Sequence, residues 1–341
     1  MGEKREDKRL LWLDFGKAAG ILIVLLVHAQ CALGAVTFYG GMFYMPVFFV
    51  AAGYTYRQRA GESFGDFIKK KAKRLLVPYL GSSVFLWLFF WVKDSLLMGN
   101  PVDLKWLSVF GIFYSRNQMY TVSYPKENPV LLDVLNAPLW FLTALFLTYL
   151  WYEIVQRSKK KMLWLAAGAA ASLLWHYCTE LLLPWSLDAV PYFACFMAAG
   201  EEFRERELEK LLGELWFLGI LVVVFLFSSN LNGSVNLSLG NYGHFMVLCL
   251  FSGTAGSLLI FAAGMWLEKR AGWMIRLSSL VGQQTLGILC FHMFLYMFLQ
   301  TAARLLGCQE GLTKAVMVLG SLIVLTAAGS FIHEKQGRKR E

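Results

Sequence analysis

The chain has 341 residues, of which 57% are hydrophobic and 16% are charged, and its mean hydropathy is +0.51. This composition is far more apolar than that of an ordinary soluble domain, so it argues against a water-soluble fold. The formal charge of +9 does not indicate a nucleic-acid partner, because the 32 Lys and Arg residues lie almost entirely between apolar segments.

Apolar windows long enough to cross a bilayer, which takes about 17 to 25 residues, recur along the whole sequence. We predict an all-α integral membrane protein, with one domain over residues 1–341 and about ten transmembrane helices. The predicted helices are 10–34, 40–56, 75–92, 137–155, 162–178, 187–203, 214–230, 242–267, 279–302 and 312–333.

The first of these segments follows a basic start and could be interpreted as a signal peptide. Its apolar run continues to Ala35 without a convincing cleavage site, so we interpret it as a membrane helix. The longest connection, residues 93–136, mixes Pro, Asn, charged and aromatic residues. It is predicted either to lie partly along the membrane surface or to cap a cavity.

The basic residues also predict an orientation, because Lys and Arg are retained on the cytoplasmic side of a membrane. With both termini in the cytoplasm, all but six of the 32 Lys and Arg residues lie on the cytoplasmic side. The six exceptions are Lys93, Lys105, Arg116, Lys126, Arg304 and Lys314. One missed or additional helix would invert every later connection, so the asymmetry also supports the helix count.

Three ionisable residues lie in the first predicted helix, where such side chains are costly and are candidates for function. Lys17 and His28 are 11 positions apart, nearly three whole turns, and Asp14 lies one turn before Lys17 on the same face. Asp14 and Lys17 are therefore predicted to pair. His28, roughly 16 Å deeper by the helical rise, is either a general base for acyl transfer or a histidine hydrogen-bonded between helices.

A basic run leads into the third predicted helix just before Pro78, in the segment FIKKKAKRLLVPYL. It has two interpretations, a stop-transfer signal that contacts anionic lipid headgroups and a phosphate-binding site. Lys71 and Arg74 lie one turn apart on one face, as a phosphate clamp requires. Among the other histidines, His292 is mid-helix and either lines the same cavity or bonds a neighbouring backbone, whereas structural roles are expected for His176, His244 and His333.

Several segments, in their order along the chain, resemble the acyltransferase-3 family of multi-pass membrane O-acyltransferases, and come nearest to its fucose 4-O-acetylase-like branch. The segments are LDFGKAAGILIVLLVH, MPVFFVAAGY, FIKKKAKRLLVPYL, PLWFLTALF and GQQTLGILCFH. The resemblance implies a protein of the bacterial cytoplasmic membrane. It would take an acetyl group from acetyl-CoA at the cytoplasmic face and deliver it to a hydroxyl of a cell-envelope carbohydrate or related acceptor.

The resemblance also implies site residues. Lys17 and His28 match a motif that pairs a basic residue with a histidine, and Lys71 and Arg74 match a motif of two basic residues before a proline. In each match one Lys stands where many members have Arg, which keeps the charge but loses the bidentate fork. Two further departures concern the acceptor, since Tyr44 replaces a common His and Ala52 replaces a common Ser.

These observations lead to one predicted mechanism. Phosphates of acetyl-CoA bind Lys71, Arg74 and Lys70, His28 acts as general base, Lys17 orients His28 or contacts the coenzyme, and Asp14 holds Lys17; no metal is required. Transfer through an acylated His28 remains an alternative. Residues expected to meet the acceptor or to line the cavity are Tyr44, Tyr54, Trp140 and His292.

A protein of another class, a transporter or flippase of an envelope precursor, suits the predicted helix count equally well. Inverted halves with short, Gly- or Pro-broken helices would favour it, and residues 1–170 and 171–341 show no such pairing.

Overall fold

A computed structural model describes residues 9–59, 61–97, 106–121, 131 and 137–338, and the regular secondary structure of this part of the chain is helical, with two isolated β-bridges. The α-helices are α1 (Leu11–His28), α2 (Ala35–Phe43), α3 (Pro46–Tyr54), α4 (Phe64–Leu97), α5 (Trp106–Tyr114), α6 (Trp140–Arg157), α7 (Lys161–Cys178), α8 (Val190–Glu205), α9 (Leu215–Asn232), α10 (Met246–Arg270), α11 (Gly272–Gln283), α12 (Thr285–Leu305) and α13 (Glu310–Arg338).

Eight segments of the described chain are long and apolar enough to cross a membrane. The other two predicted spans are the helices α7 and α8. Lys161 and His176 shorten the apolar part of α7, and α8 has only 16 residues with Glu201 and Glu202 in its last turns. Because α7 and α8 are consecutive, removing both from the list of candidate spans leaves the relative orientation of all the other helices unchanged.

The predicted second span is a helix with a break. Pro46 lacks a backbone N–H and fixes the start of α3, so the segment Ala35–Tyr54 divides into α2 and α3 at Tyr44 and Met45. The structure packs α3 directly against α8, where a Cβ on Gly53 or Gly200 would collide with the facing backbone.

The helix α4 begins at Phe64, well before the predicted residue 75. Ser63 caps its start, since the backbone N–H of Asp66 donates to Ser63 Oγ at 3.1 Å and Ser63 Oγ donates to the Asp66 carboxylate at 2.7 Å. The basic run is therefore part of the helix, and its side chains are held on defined faces rather than in a loop.

Of the long connection 93–136, residues 98–105, 122–130 and 132–136, with Lys105 and Lys126, lie outside the described residues. The helix α5 is held by hydrogen bonds from two aromatic side chains to its last carbonyls. Tyr79 donates to the Ile112 carbonyl at 2.5 Å, and the Trp185 indole donates to the Phe113 carbonyl at 2.7 Å. The segment therefore packs on the helical bundle.

The helix α1 lies at the centre of this bundle and contacts α2, α3, α10, α11, α12 and α13. Close approach to α11 is possible because Gly282 faces the backbone of Asp14, where a Cβ would not fit. The face of α1 that carries the predicted site is consequently enclosed by other helices.

Candidate active site

A cavity of about 380 Å³ lies between α1, α3, α4, α6, the end of α11 and α12. Among the described residues, its charged lining consists of three cations, Arg9, Lys17 and Arg74. Neutral polar groups come from Thr55, Tyr149, Gln283 and Thr285. The remaining lining residues are apolar except for Gly282, namely Leu13, Ile21, Met45, Phe48, Ala51, Ala52, Leu75, Phe141, Leu142, Leu145, Leu286 and Leu289. The cavity thus combines cations with an extensive apolar wall.

The predicted pairing of Asp14 with Lys17 is present, with Lys17 Nζ 2.6 Å from Asp14 Oδ1. The Asp14 carboxylate is 3% exposed and has two further partners. Arg9 Nε lies 2.5 Å from Oδ2, and Ser279 of α11 donates its hydroxyl to the same oxygen at 3.0 Å. A buried carboxylate needs such partners to remain ionised. The network fixes two of the three cations beside the cavity.

The three residues predicted to bind phosphate occupy different positions. Arg74 lines the cavity and forms no ion pair with the described residues. Lys71 is not among the lining residues, since its ammonium lies over the Tyr149 ring, 3.3 Å from the ring centroid. Lys70 lies 3.6 Å from the Glu62 carboxylate. Arg74 is therefore the member of the basic run that faces the cavity.

His28 and His292 meet at the far end of α1. His292 Nε2 lies 3.1 Å from His28 Nδ1, and the ring centroids are 5.0 Å apart. His292 is fully buried, and its Nδ1 lies 2.9 Å from the Ile288 carbonyl and 3.1 Å from the Leu289 carbonyl. His28 is half-buried. The structural interpretation of each histidine therefore corresponds to a contact in the structure. His28 is hydrogen-bonded between helices, and His292 is bonded to the neighbouring backbone.

The histidine pair lies beyond the cavity but on the helix faces that line it. On α1, Ile21 lines the cavity, and His28 follows seven positions later, which is almost two whole turns. On α12, Leu289 lines the cavity, and His292 follows less than one turn later. The described lining ends roughly 10 Å of helical rise before His28.

Other residues expected near the acceptor lie elsewhere. Tyr44, Tyr54 and Trp140 are buried in the core and are not among the described lining residues, and Tyr54 packs edge-on against Trp12. Ala52, in contrast, lines the cavity. The ring of His176 packs against Tyr242, and His244 contacts the Leu231 carbonyl, away from the cavity. The side chain of His333 lies outside the described residues.

Sequence reasoning missed two residues of the charged network and one of the cavity wall. Arg9 was counted only as a topology signal, although its position five residues before Asp14 is compatible with a contact. Ser279 and Tyr149 lie far from α1 in the chain, so no local pattern connects them with Asp14 or Lys71. Only the packing of α11 and α6 reveals their roles.

Comparison with known proteins supports the chemistry that this arrangement allows. The acyltransferase-3 family model, described as an acyltransferase domain, matches residues 10–335. Comparisons with curated proteins and with solved structures find no significant match. The family favours an enzyme over a transporter without chemistry. With nearly the whole chain matched and eight candidate membrane spans, the protein belongs to the acyltransferase-3 family and is a membrane O-acyltransferase.

Proposed function

We propose that this protein takes an acetyl group from acetyl-CoA and transfers it to a hydroxyl of a cell-envelope carbohydrate, with His28 as general base. The observation that carries the proposal is the cavity, which is lined by three cations and whose lining helices α1 and α12 continue to the histidine pair. The fucose 4-O-acetylase-like branch, suggested by the sequence segments, supports the carbohydrate acceptor.

The donor is proposed from the charges of the cavity. Acetyl-CoA carries phosphates at one end and an uncharged pantetheine arm at the other. Arg74, with no carboxylate partner among the described residues, is free to pair with a phosphate, and its guanidinium can bind two oxygens at once. Arg9 and Lys17 add positive potential, and Lys71 and Lys70 lie close enough on α4 to contribute. The apolar wall suits the arm.

The orientation is proposed from the basic connections, which favour a cytoplasmic location for the charged end of α1 and the basic run of α4. This is the compartment in which acetyl-CoA is available to a membrane enzyme. Both termini then lie in the cytoplasm, as an even number of spans requires. In this orientation the donor enters from the cytoplasm, and its arm extends past Ile21 and Leu289 toward His28.

The chemistry needs one base and one leaving group. His28 removes the proton of the acceptor hydroxyl, whose oxygen attacks the thioester carbonyl carbon. The carbon–sulfur bond breaks, and the departing thiolate takes the proton from His28. A two-step route through an acetylated His28 uses the same side chain. Lys17 lies beside the cavity, and His28 bonds His292, so we assign Lys17 to the coenzyme and Asp14 to holding Lys17.

The acceptor is tested with membranes that contain the protein, incubated with acetyl-CoA labelled in its acetyl group. We expect label in a cell-envelope carbohydrate fraction, and none when the protein carries His28→Ala. Label in the carbohydrate at wild-type rate with His28→Ala would overturn the role of His28. Label only in a lipid or a free small molecule would overturn the carbohydrate acceptor and leave the donor assignment intact.

A further inference from the structure

The histidine pair carries information about where its protons lie. His292 Nδ1 faces two backbone carbonyl oxygens, Ile288 at 2.9 Å and Leu289 at 3.1 Å. Carbonyl oxygens only accept hydrogen bonds, so Nδ1 must carry the proton. A lone pair there would face two oxygens without a hydrogen, in a side chain with no exposure to solvent. In the neutral ring, Nε2 of His292 is therefore the acceptor.

The tautomer of His292 determines that of His28, because the two rings share a hydrogen bond. His28 Nδ1 lies 3.1 Å from His292 Nε2, and since Nε2 accepts, Nδ1 of His28 donates. The one proton of a neutral His28 is then on Nδ1. Its other nitrogen, Nε2, has a free lone pair, which is the form that a general base requires.

We propose that His292 is a positioning residue, which holds His28 in the tautomer that leaves Nε2 as the base. This inference rests on the proposed role of His28. His292 acts through His28 and touches neither substrate. Its place corresponds to that of the carboxylate in a Ser-His-Asp triad, which orients the histidine and stabilises the imidazolium that forms. A neutral acceptor does this without the cost of a buried charge in the membrane.

Tyr296 holds together the two helices that carry the histidine pair. Tyr296 donates its hydroxyl to the Leu25 carbonyl at 2.8 Å and packs edge-on against His292, which fixes α12 beside α1.

The test uses the full protein in membranes, with histidine labelled with nitrogen-15. In the wild type, we expect the nitrogen spectrum to report His28 with its proton on Nδ1, assigned by the signals lost in His28→Ala. A proton on Nε2 of His28 would overturn the proposal without any variant of His292. This reading does not depend on activity, so it is separate from a failure of the proposed function.

Two substitutions then isolate the acceptor. His292→Gln keeps an oxygen acceptor at about the position of Nε2, whereas His292→Leu removes it. We expect His292→Gln to retain most of the turnover and His292→Leu to lower kcat about 100-fold, within the range for general-base catalysis, with KM for acetyl-CoA unchanged. Thr301→Val, which removes an exposed hydroxyl farther along the same helix, is the matched control. Wild-type kcat and tautomer in His292→Leu would overturn the proposal.

Discussion

The buried polar groups at the two ends of α1 are stabilised in different ways. At its start, the buried Asp14 is balanced by two cations, Lys17 and Arg9, whose side chains are 25% and 53% exposed. At its end, His28 and the fully buried His292 share a hydrogen bond that needs no net charge. The difference follows solvation, because a full charge is inexpensive only where water or a counter-charge reaches it.

Substitutions at the two ends of α1 are expected to affect different properties of the enzyme. Changes at the charged end should act on donor binding and on stability, because its residues line or support the cavity. Changes at the histidine end should act on the rate of transfer, because the described cavity stops before His28. Variants at each end test whether donor binding and the rate of transfer depend on different ends of α1.

The largest effect is expected for His28→Ala. Loss of the general base should lower kcat at least about 100-fold and leave KM for acetyl-CoA unchanged. Steady-state kinetics on purified protein in lipid measure both constants. His244→Ala, which removes a histidine outside the site, is the control and should match the wild type. A rise in KM with unchanged kcat would place His28 in donor binding.

A smaller effect is expected at the charged end, from a double-mutant cycle of Asp14→Ala and Lys17→Ala. Removing Lys17 alone leaves a buried carboxylate with one fewer counter-charge, whereas removing both residues leaves neither group unpaired. We expect a coupling of about 1–3 kcal/mol in the free energy of unfolding, read from denaturation in detergent. The exposed pair Glu207 and Lys210 should show no measurable coupling, and an equally small value for Asp14 would contradict the network.

Donor binding should respond to Arg74→Ala. Loss of one charge-assisted hydrogen bond to a phosphate should raise KM for acetyl-CoA about tenfold, with kcat unchanged. Lys73→Ala, which removes an exposed cation of the same helix that is not among the cavity-lining residues, is the control. An equal rise for both variants would indicate a diffuse charge effect rather than a contact of Arg74.

The smallest effect is expected for Lys71→Met. The Lys71 ammonium lies on the Tyr149 ring outside the cavity, and methionine keeps an apolar chain on that ring. We expect KM for acetyl-CoA to rise by less than it does for Arg74→Ala in the same assay. A larger rise than that for Arg74→Ala would make Lys71 the principal phosphate ligand and reverse the order derived from the cavity lining.

The sequence was sufficient for the membrane fold and for the charged pair. Hydropathy identified all eight candidate spans, and helical periodicity placed Asp14 and Lys17 within contact, because both signals are local. The predicted span 187–203 is not among the eight, because the helix α8 that it covers has only 16 residues and carries charges in its last turns. Hydropathy placed the start of α4 too late, because the basic residues interrupt the hydropathy but not the helix.

Only the tertiary structure decided which residues meet across helices. The sequence left His292 with two interpretations, and packing of α12 against α1 places it on His28. The same packing puts Arg74 in the cavity wall and the Lys71 ammonium over the ring of Tyr149, although both belong to one basic run. The physical reason is that periodicity fixes the face of a helix on which a residue lies, whereas the partner of that face depends on how distant segments pack.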